Sequence, residues 1–438
     1  MTVQNETAAR AGGGAGAGFS SRYRHYILVI LTLMYVVNYL DRQILNILLP
    51  PIKAEFGVSD ALLGLLAGPT FALFYATLGI PIARFADRHS RRNIIAMSMG
   101  LFSAMTVVCG LVGQFWQLVV ARVFTGVGEA GTGPAAQAVI SDLYPPEKRA
   151  AAQSFYSAGL NIGLLIAFFA GGWIAQTFGW REAFLAAGIP GLLLCFVIIF
   201  TVREPVRGHS EMLADDGVRP DLGAVARFLW SQRSFRWIAF GAAMTSFGGY
   251  GATAFVPAFL VRSHHLTLSE VGFIFAGIAG VGGWLGTFMS GVIADRMSKR
   301  DVRWNMYVPL GAVFVAFPFS PIFYLADNTT VAILAAIIPS SMGAVFLGPC
   351  VTMVQGLVPL RMRATAAALF LFILNIIGLG LGPQTVGLVS TLLEPALGVD
   401  SLRYALFVTM ISSAIGGFCY WRASKSLKAD LARVPRPA

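Results

Sequence analysis

Four ionisable side chains sit where a hydrocarbon core should exclude them. Asp41 and Arg42 fall within NYLDRQ, residues 38–43, inside an apolar run that begins near Tyr26 and ends at Pro50-Pro51. Arg122 and Glu129 interrupt a second run, at about 116–141. Each costs about 2.5 to 3.5 kcal/mol at the centre of a spanning helix, so all four are expected to face a cavity and to pair with one another. Burial favours the neutral form of a carboxylate and an adjacent guanidinium favours the charged form. An arginine that changes partners therefore lets the carboxylate take and lose a proton, and the chemistry these residue types suit is proton-linked binding of a charged solute. The plainer alternative is an ion-pair network that only holds two helices together, although a buried pair is a weak source of stability.

Composition sets the elements that must carry these residues. Of 438 residues, 56% are hydrophobic and 12% charged, where soluble domains average about 25% charged. Apolar runs of about 20 residues recur along the chain, each long enough to cross a core about 30 Å thick at about 1.5 Å per residue. Twelve spans are expected, at about 26–50, 60–84, 93–113, 116–141, 150–176, 183–202, 236–261, 267–293, 304–325, 329–355, 364–390 and 402–421. The runs are continuous, unlike the alternating segments of about ten residues in an outer-membrane barrel. The expected fold class is an all-α membrane protein.

A net charge of +11 in a soluble protein would point to nucleic acid; here the placement of the basic residues points to topology instead. Arg88, Arg91, Arg92, Lys148, Arg149, Arg296, Lys299, Arg300, Arg361 and Arg363 follow even-numbered spans, and only Lys53, Arg181, Arg262 and Arg403 fall on the opposite side. Both termini are therefore expected in the cytoplasm, with no nucleic-acid partner. Arg22 and Arg24 precede an oily stretch, as in a signal peptide, but the stretch is too long and lacks a small-residue cleavage site, so it reads as the first permanent span. Cys109, Cys195, Cys350 and Cys419 lie inside spans without metal-ligand spacing and read as core. His264-His265 reads as a loop pair, and no metal or cofactor is expected.

The chain divides into a tail (1–22), a six-span unit (23–202), a polar linker (203–235), a second six-span unit (236–421) and a tail (422–438). Within the linker, Leu222, Val225, Phe228 and Leu229 recur at helical spacing, suiting an amphipathic helix on the membrane surface. The units repeat. ARFADRHSRR (83–92) is echoed by GVIADRMSKR (291–300); Arg149 stands twelve residues before Asn161, as Arg363 does before Asn375; and Trp180-Arg181-Glu182-Ala183-Phe184 is echoed by Leu402-Arg403-Tyr404-Ala405-Leu406. A duplicated six-helix unit can rock about a central site, the physical basis of alternating access.

These motifs resemble the major facilitator superfamily over essentially the whole chain. Its loop signature, G-x-x-x-D-R-x-G-[RK]-[RK], is met at Gly291–Arg300 with Ser298 in place of the second glycine, and more loosely in the first copy, where Ala83 and Ser90 replace glycines. The resemblance implies two pseudo-symmetric six-helix bundles whose cytoplasmic side is gated by Asp87, Arg88, Arg91, Arg149, Asp295, Arg296 and Arg363. Asp87 or Asp295 could then cap a helix of the other half. Gly126, Gly128 and Gly131 spell GxGxxG, but within a span this reads as close helix packing and not as a dinucleotide site.

At about 1.5 Å per residue, Asp41 lies about 22 Å up the first span, Arg122 about 9 Å and Glu129 about 20 Å down the fourth. Arg122 and Glu129, seven apart, share one helix face. The second unit holds no deep charge, only polar groups such as Thr245, Ser246, Tyr250, Thr253, Ser340, Ser341, Asn375 and Gln384. A cavity charged on one wall and oily on the other suits a solute with an ionic head and an apolar tail. NYLDRQ together with GVGEA (126–130) resembles the Spinster branch, whose members move sphingolipids and lysolipids. The resemblance implies that Asp41 and Glu129 are the proton-linked carboxylates and that Arg42 meets a lipid phosphate, supported by Arg122, with Asn38, Glu129 and Tyr250 completing the binding site. A bacterial, monomeric inner-membrane transporter is expected. NYLDR also resembles sugar-acid symporters of the same superfamily, so a small organic anion, or drug export, is the alternative.

Overall fold

The computed structural model describes residues 19–86, 89–205 and 221–434. Among the described residues there is no strand, as expected where lipid cannot satisfy backbone groups and each span must bond internally. The first half comprises Ser21–Phe56; Asp60–Ala67 continued by Pro69–Ala86; Arg91–Leu111; Phe115–Glu129 continued by Thr132–Leu143; Pro146–Thr177; and Trp180–Thr201. The second comprises Arg233–His264; Leu268–Phe275 leading through Ala276–Gly282 into Gly283–Ser298; Trp304–Ala316 with Phe319–Leu325; and Thr329–Met342 with Leu347–Gly356. Arg363–Leu374, leading through Asn375–Leu381 into Gly382–Leu397, and Phe407–Ala432 complete it.

Ten helical stretches among the described residues are long and apolar enough to span a membrane, one of them, Arg363–Ala432, being two consecutive helices. The fourth stretch falls outside those ten because it carries Arg122 and Glu129 and breaks after Glu129. With it, the helices fall on the twelve expected spans. Large side chains such as Met97, Phe200, Phe314 and Leu392 are at least three-quarters exposed, which is intelligible for surfaces that face hydrocarbon. The chain is an integral, multi-pass membrane protein. Its described ends share one face, here the terminal face; the other is the far face.

Local chemistry sets the helix limits. Ser20, Ser59 and Ser90 accept bonds from Tyr23, Leu62 and Asn93 backbone amides and start their helices. The first helix does not stop at Pro50-Pro51; it continues to Phe56 and ends at Gly57, whose φ of 62° favours glycine. In each half the same pairs meet: the first span packs on the fifth and the third on the sixth, as the seventh packs on the eleventh and the ninth on the twelfth. The GxGxxG stretch is a packing device. A Cβ on Gly126 would lie 2.7 Å from the Phe71 carbonyl oxygen, and one on Gly128 would lie 2.6 Å from the Phe102 amide nitrogen. Gly128→Val is expected to lower stability by about 1 to 3 kcal/mol through overpacking. A melting temperature in detergent equal to that of the wild type would contradict this packing account.

The linker helix, Leu222–Ser231, differs from expectation. Val225 and Leu229 are completely buried in the second half beside Ile238, Val354 and Phe370. Its apolar edge is taken up by protein rather than laid on lipid, because the ends of the seventh and eleventh spans offer an apolar surface at that height.

Candidate functional site

The four deep charges converge as two crossed pairs. Arg42 bonds Glu129 through Nη2 and Oε1, and Arg122 Nη1 lies 3.4 Å from Asp41 Oδ2. Thr106 of the third span donates its hydroxyl to Asp41 Oδ1. Exposure is 1% for Asp41, Arg122 and Glu129 and 8% for Arg42. Consecutive residues on the first helix point about 100° apart, so Asp41 and Arg42 reach different partners, whereas Arg122 and Glu129 stack along one face of the fourth. Glu129 Oε2, Arg42 Nε and Arg122 Nε have no hydrogen-bond partner among the described residues. The cluster is neutral as a whole but holds unused bonding capacity on both signs.

The break in the fourth span falls directly after Glu129. Thr132 Oγ1 donates to the Glu129 carbonyl at 2.8 Å, and Asn38 Nδ2 donates to Thr132 Oγ1 at 3.3 Å. Asn38 is thus tied to the backbone that carries Glu129, and the break places irregular backbone in the middle of the membrane, where transporters place their sites. Aromatic rings close around Arg42, whose guanidinium carbon lies 5.1 Å from the Tyr39 ring centre, 5.0 Å from that of Phe71 and 4.6 Å from that of Tyr75. Tyr250 of the second half faces the same guanidinium. Such faces stabilise a desolvated cation.

The residues expected to gate lie toward the terminal face. Asp87 and Arg88 lie outside the described residues. Arg91 lies 2.6 Å from Asp142 of the first half and 3.8 Å from Glu204 at the start of the linker. Arg149 is partly buried, and Asp295, Arg296 and Arg363 are exposed.

Sequence reasoning missed a lock on the far face. Asp60 is buried and accepts both Arg262 Nη1 and Nη2 at 2.7 Å, Lys53 Nζ at 2.9 Å and the Ser390 hydroxyl at 2.7 Å. Ala61 N donates to Thr391 Oγ1 at 2.9 Å, and Lys53 lies 3.6 Å from Glu394. Arg262, Ser390, Thr391 and Glu394 belong to the second half, so this network ties the halves together. Beside it, backbones approach closely at Gly64 against Pro383 and at Gly172 against Leu268. A signal was present: Lys53, Arg181, Arg262 and Arg403 are the exceptions to one-sided basicity. Each is paired, Arg181 with Glu55 at 2.7 Å and Arg403 with Asp327 at 3.3 Å. The eighth and eleventh spans also contain seven-residue π-helical stretches, Ala276–Gly282 and Asn375–Leu381, that face the other half and that sequence periodicity did not reveal.

The buried, charge-paired cluster lies in the first half and is faced by Tyr250 of the second, and the chain belongs to the major facilitator superfamily of membrane transporters, whose sequence profile matches residues 31–383. It is 31% identical over 418 residues to an MFS-type efflux pump of Mycolicibacterium smegmatis, covering 93% of this chain and 94% of that one. It is 26% identical over 444 residues to protein spinster homolog 1 of Xenopus tropicalis, covering 94% and 83%. The crystal structure of a bacterial homolog to the human lysosomal transporter Spinster, inward-facing and unoccupied, superposes with a TM-score of 0.88 at 30% identity over 96% of this chain and all of that one. A probable L-galactonate transporter of Escherichia coli is 25% identical over 321 residues, 70% of each chain. The expected likeness to Spinster proteins is met by sequence and by fold.

Proposed function

We propose that the protein is a proton-linked secondary transporter that moves an amphiphile with an anionic head, such as a lysolipid or a sphingosine 1-phosphate-like molecule, by alternating access. We place it in the bacterial inner membrane as a monomer with cytoplasmic termini, a reading that rests on its one-sided basic residues. The observation that carries the functional reading is the pairing of Arg42 with Glu129 inside an aromatic enclosure. An anionic head that takes Arg42 must displace Glu129, and an ionised carboxylate left without a partner is costly in a low-dielectric site. Glu129 then takes up a proton as the head binds and releases it when Arg42 returns. Asp41, held by Arg122 and Thr106, keeps the second guanidinium neutralised meanwhile.

The tail would occupy the second half. A cavity of about 170 Å³ there is lined by Val256, Phe275, Phe317 and Phe323, among other residues, and among the described residues by no Asp, Glu, Lys or Arg. A sugar acid or similar small anion is the second reading. Thr253 and Ser340 hydroxyls on the same cavity favour it, as does the relationship to the L-galactonate transporter.

The test is transport into liposomes holding the purified protein, with and without an imposed pH gradient, of a labelled anionic lysolipid and of a labelled sugar acid. Gradient-sensitive movement of the lysolipid alone is expected. Movement of the sugar acid alone would replace the amphiphile by a small anion, and movement of neither would sink both readings.

A further inference from the structure

Away from the charged cluster, the seventh and twelfth spans form a lipid-facing seam where they reach the terminal face. Trp237 and Phe418 meet across it with ring centres 6.1 Å apart, and Phe418 meets Trp421 at 5.7 Å. Arg422 lies over the Trp237 ring at 5.5 Å, and Lys425 Nζ lies over the Trp421 ring at 3.6 Å. Arg233 and Arg236 are exposed on the seventh span just below Trp237. At about 1.5 Å per residue, all four cations lie within about 11 Å of the Trp237–Phe418 level, on its terminal side. On its other side the exposed surface is oily, with Phe240 at 47%, Ile415 at 41% and Ile411 at 55%.

Among the described residues, charge on this seam is uncompensated. Lys428, one turn beyond Lys425, is 3.0 Å from Asp301, whose carboxyl is held below the usual range by Arg303 first and by Lys428 after it. Among the described residues, Arg233, Arg236, Arg422 and Lys425 have no carboxylate partner of this kind. Two of the four are held in place by indole faces, which fixes their position without neutralising them. Aromatic rings at headgroup depth, cations just outside and an apolar strip just inside match the layering of a phospholipid.

The geometry points to a binding site on this seam for the headgroup of an anionic bilayer phospholipid, with its acyl chains along Phe240, Ile411 and Ile415. Four cations suit a headgroup with two phosphates, so diphosphatidylglycerol is the probe of choice. The site is independent of what the central cavity transports.

Purified full-length protein in detergent is titrated with diphosphatidylglycerol, phosphatidylcholine or inorganic pyrophosphate while its melting temperature and bound lipid are followed, the latter by native mass spectrometry. The comparison uses wild type, Arg422→Gln/Lys425→Gln, Trp237→Phe/Trp421→Leu and, as a remote basic control, Arg300→Gln. Diphosphatidylglycerol is expected to bind and stabilise wild type and Arg300→Gln alike, and to need at least tenfold more lipid in the first double variant. The aromatic variant, whose charges remain, is expected to be weakened in the same direction. Equal affinity in wild type and the charge variant, equal binding of phosphatidylcholine, or full replacement by pyrophosphate would each overturn the lipid site. Should the charge variant fold poorly, the aromatic variant decides the matter by the same readout.

Discussion

Glu129→Gln is expected to remove the dependence of transport on an imposed pH gradient, and Arg42→Ala to weaken binding of anionic heads by about a hundredfold or more. Truncating one partner of a buried, bonded pair costs about 3 to 5 kcal/mol, mostly because the other charge is left alone, and every 1.4 kcal/mol is about tenfold in affinity. Glu129 and Arg42 are almost fully buried and bond each other, so each single variant strands its partner. The double variant Arg42→Ala/Glu129→Gln strands neither charge and is expected to recover thermal stability. The two roles the cluster could serve separate there. If the pair only fastens the first span to the fourth, the double variant transports normally; if it binds and switches, the double variant is stable and inactive. Liposome flux at two pH values beside a melting curve gives both readouts.

The second large effect belongs to the far face. Asp60→Asn is expected to open that face by removing the carboxylate that Lys53 and Arg262 share, leaving Lys53 only the longer contact with the exposed Glu394. The cations remain, now facing each other across the halves without the carboxylate that bound both. The change should shift the balance of conformations by about 3 kcal/mol, the loss typical of a broken buried pair, which is more than a hundredfold in population. Spin labels at Phe178 and Val399, both exposed on the far face and on opposite halves, should move apart in the variant. An unchanged distance distribution would show that the glycine-lined seams, not Asp60, hold the halves together. Ser390→Ala removes one hydrogen bond to that carboxylate while leaving both of its cations paired, and should have a smaller effect.

Several features were legible in the sequence because they are one-dimensional. A membrane span is a length of apolar residues, and the twelve spans fall close to where hydropathy places them. The pairing of the deep charges was also legible, because a charge in hydrocarbon must find a partner and only four were present. Which carboxylate met which arginine was not. Depth alone left Asp41 near enough to either arginine, and the choice follows from the rotation between Asp41 and Arg42 and from Thr106 on a third helix. The break after Glu129 and the π-helical stretches were invisible because periodicity averages over a turn and a local slip of one bond leaves the apolar pattern intact.

Asp60 shows the limit most clearly. In sequence it begins a span beside a polar loop, a position where a carboxylate is ordinarily solvated and caps a helix. Its partners Arg262 and Ser390 lie 202 and 330 residues away, and no local rule joins them. Sequence by itself determined that this is a duplicated, all-helical membrane protein with a charged wall in its first half, since hydrophobic length, charge cost and repetition are properties of the chain. Only the tertiary structure decided which charges touch, where the halves are tied and which apolar helix edge meets protein instead of lipid. Those outcomes depend on distances between helices far apart in the chain, which the hydrophobic pattern leaves open.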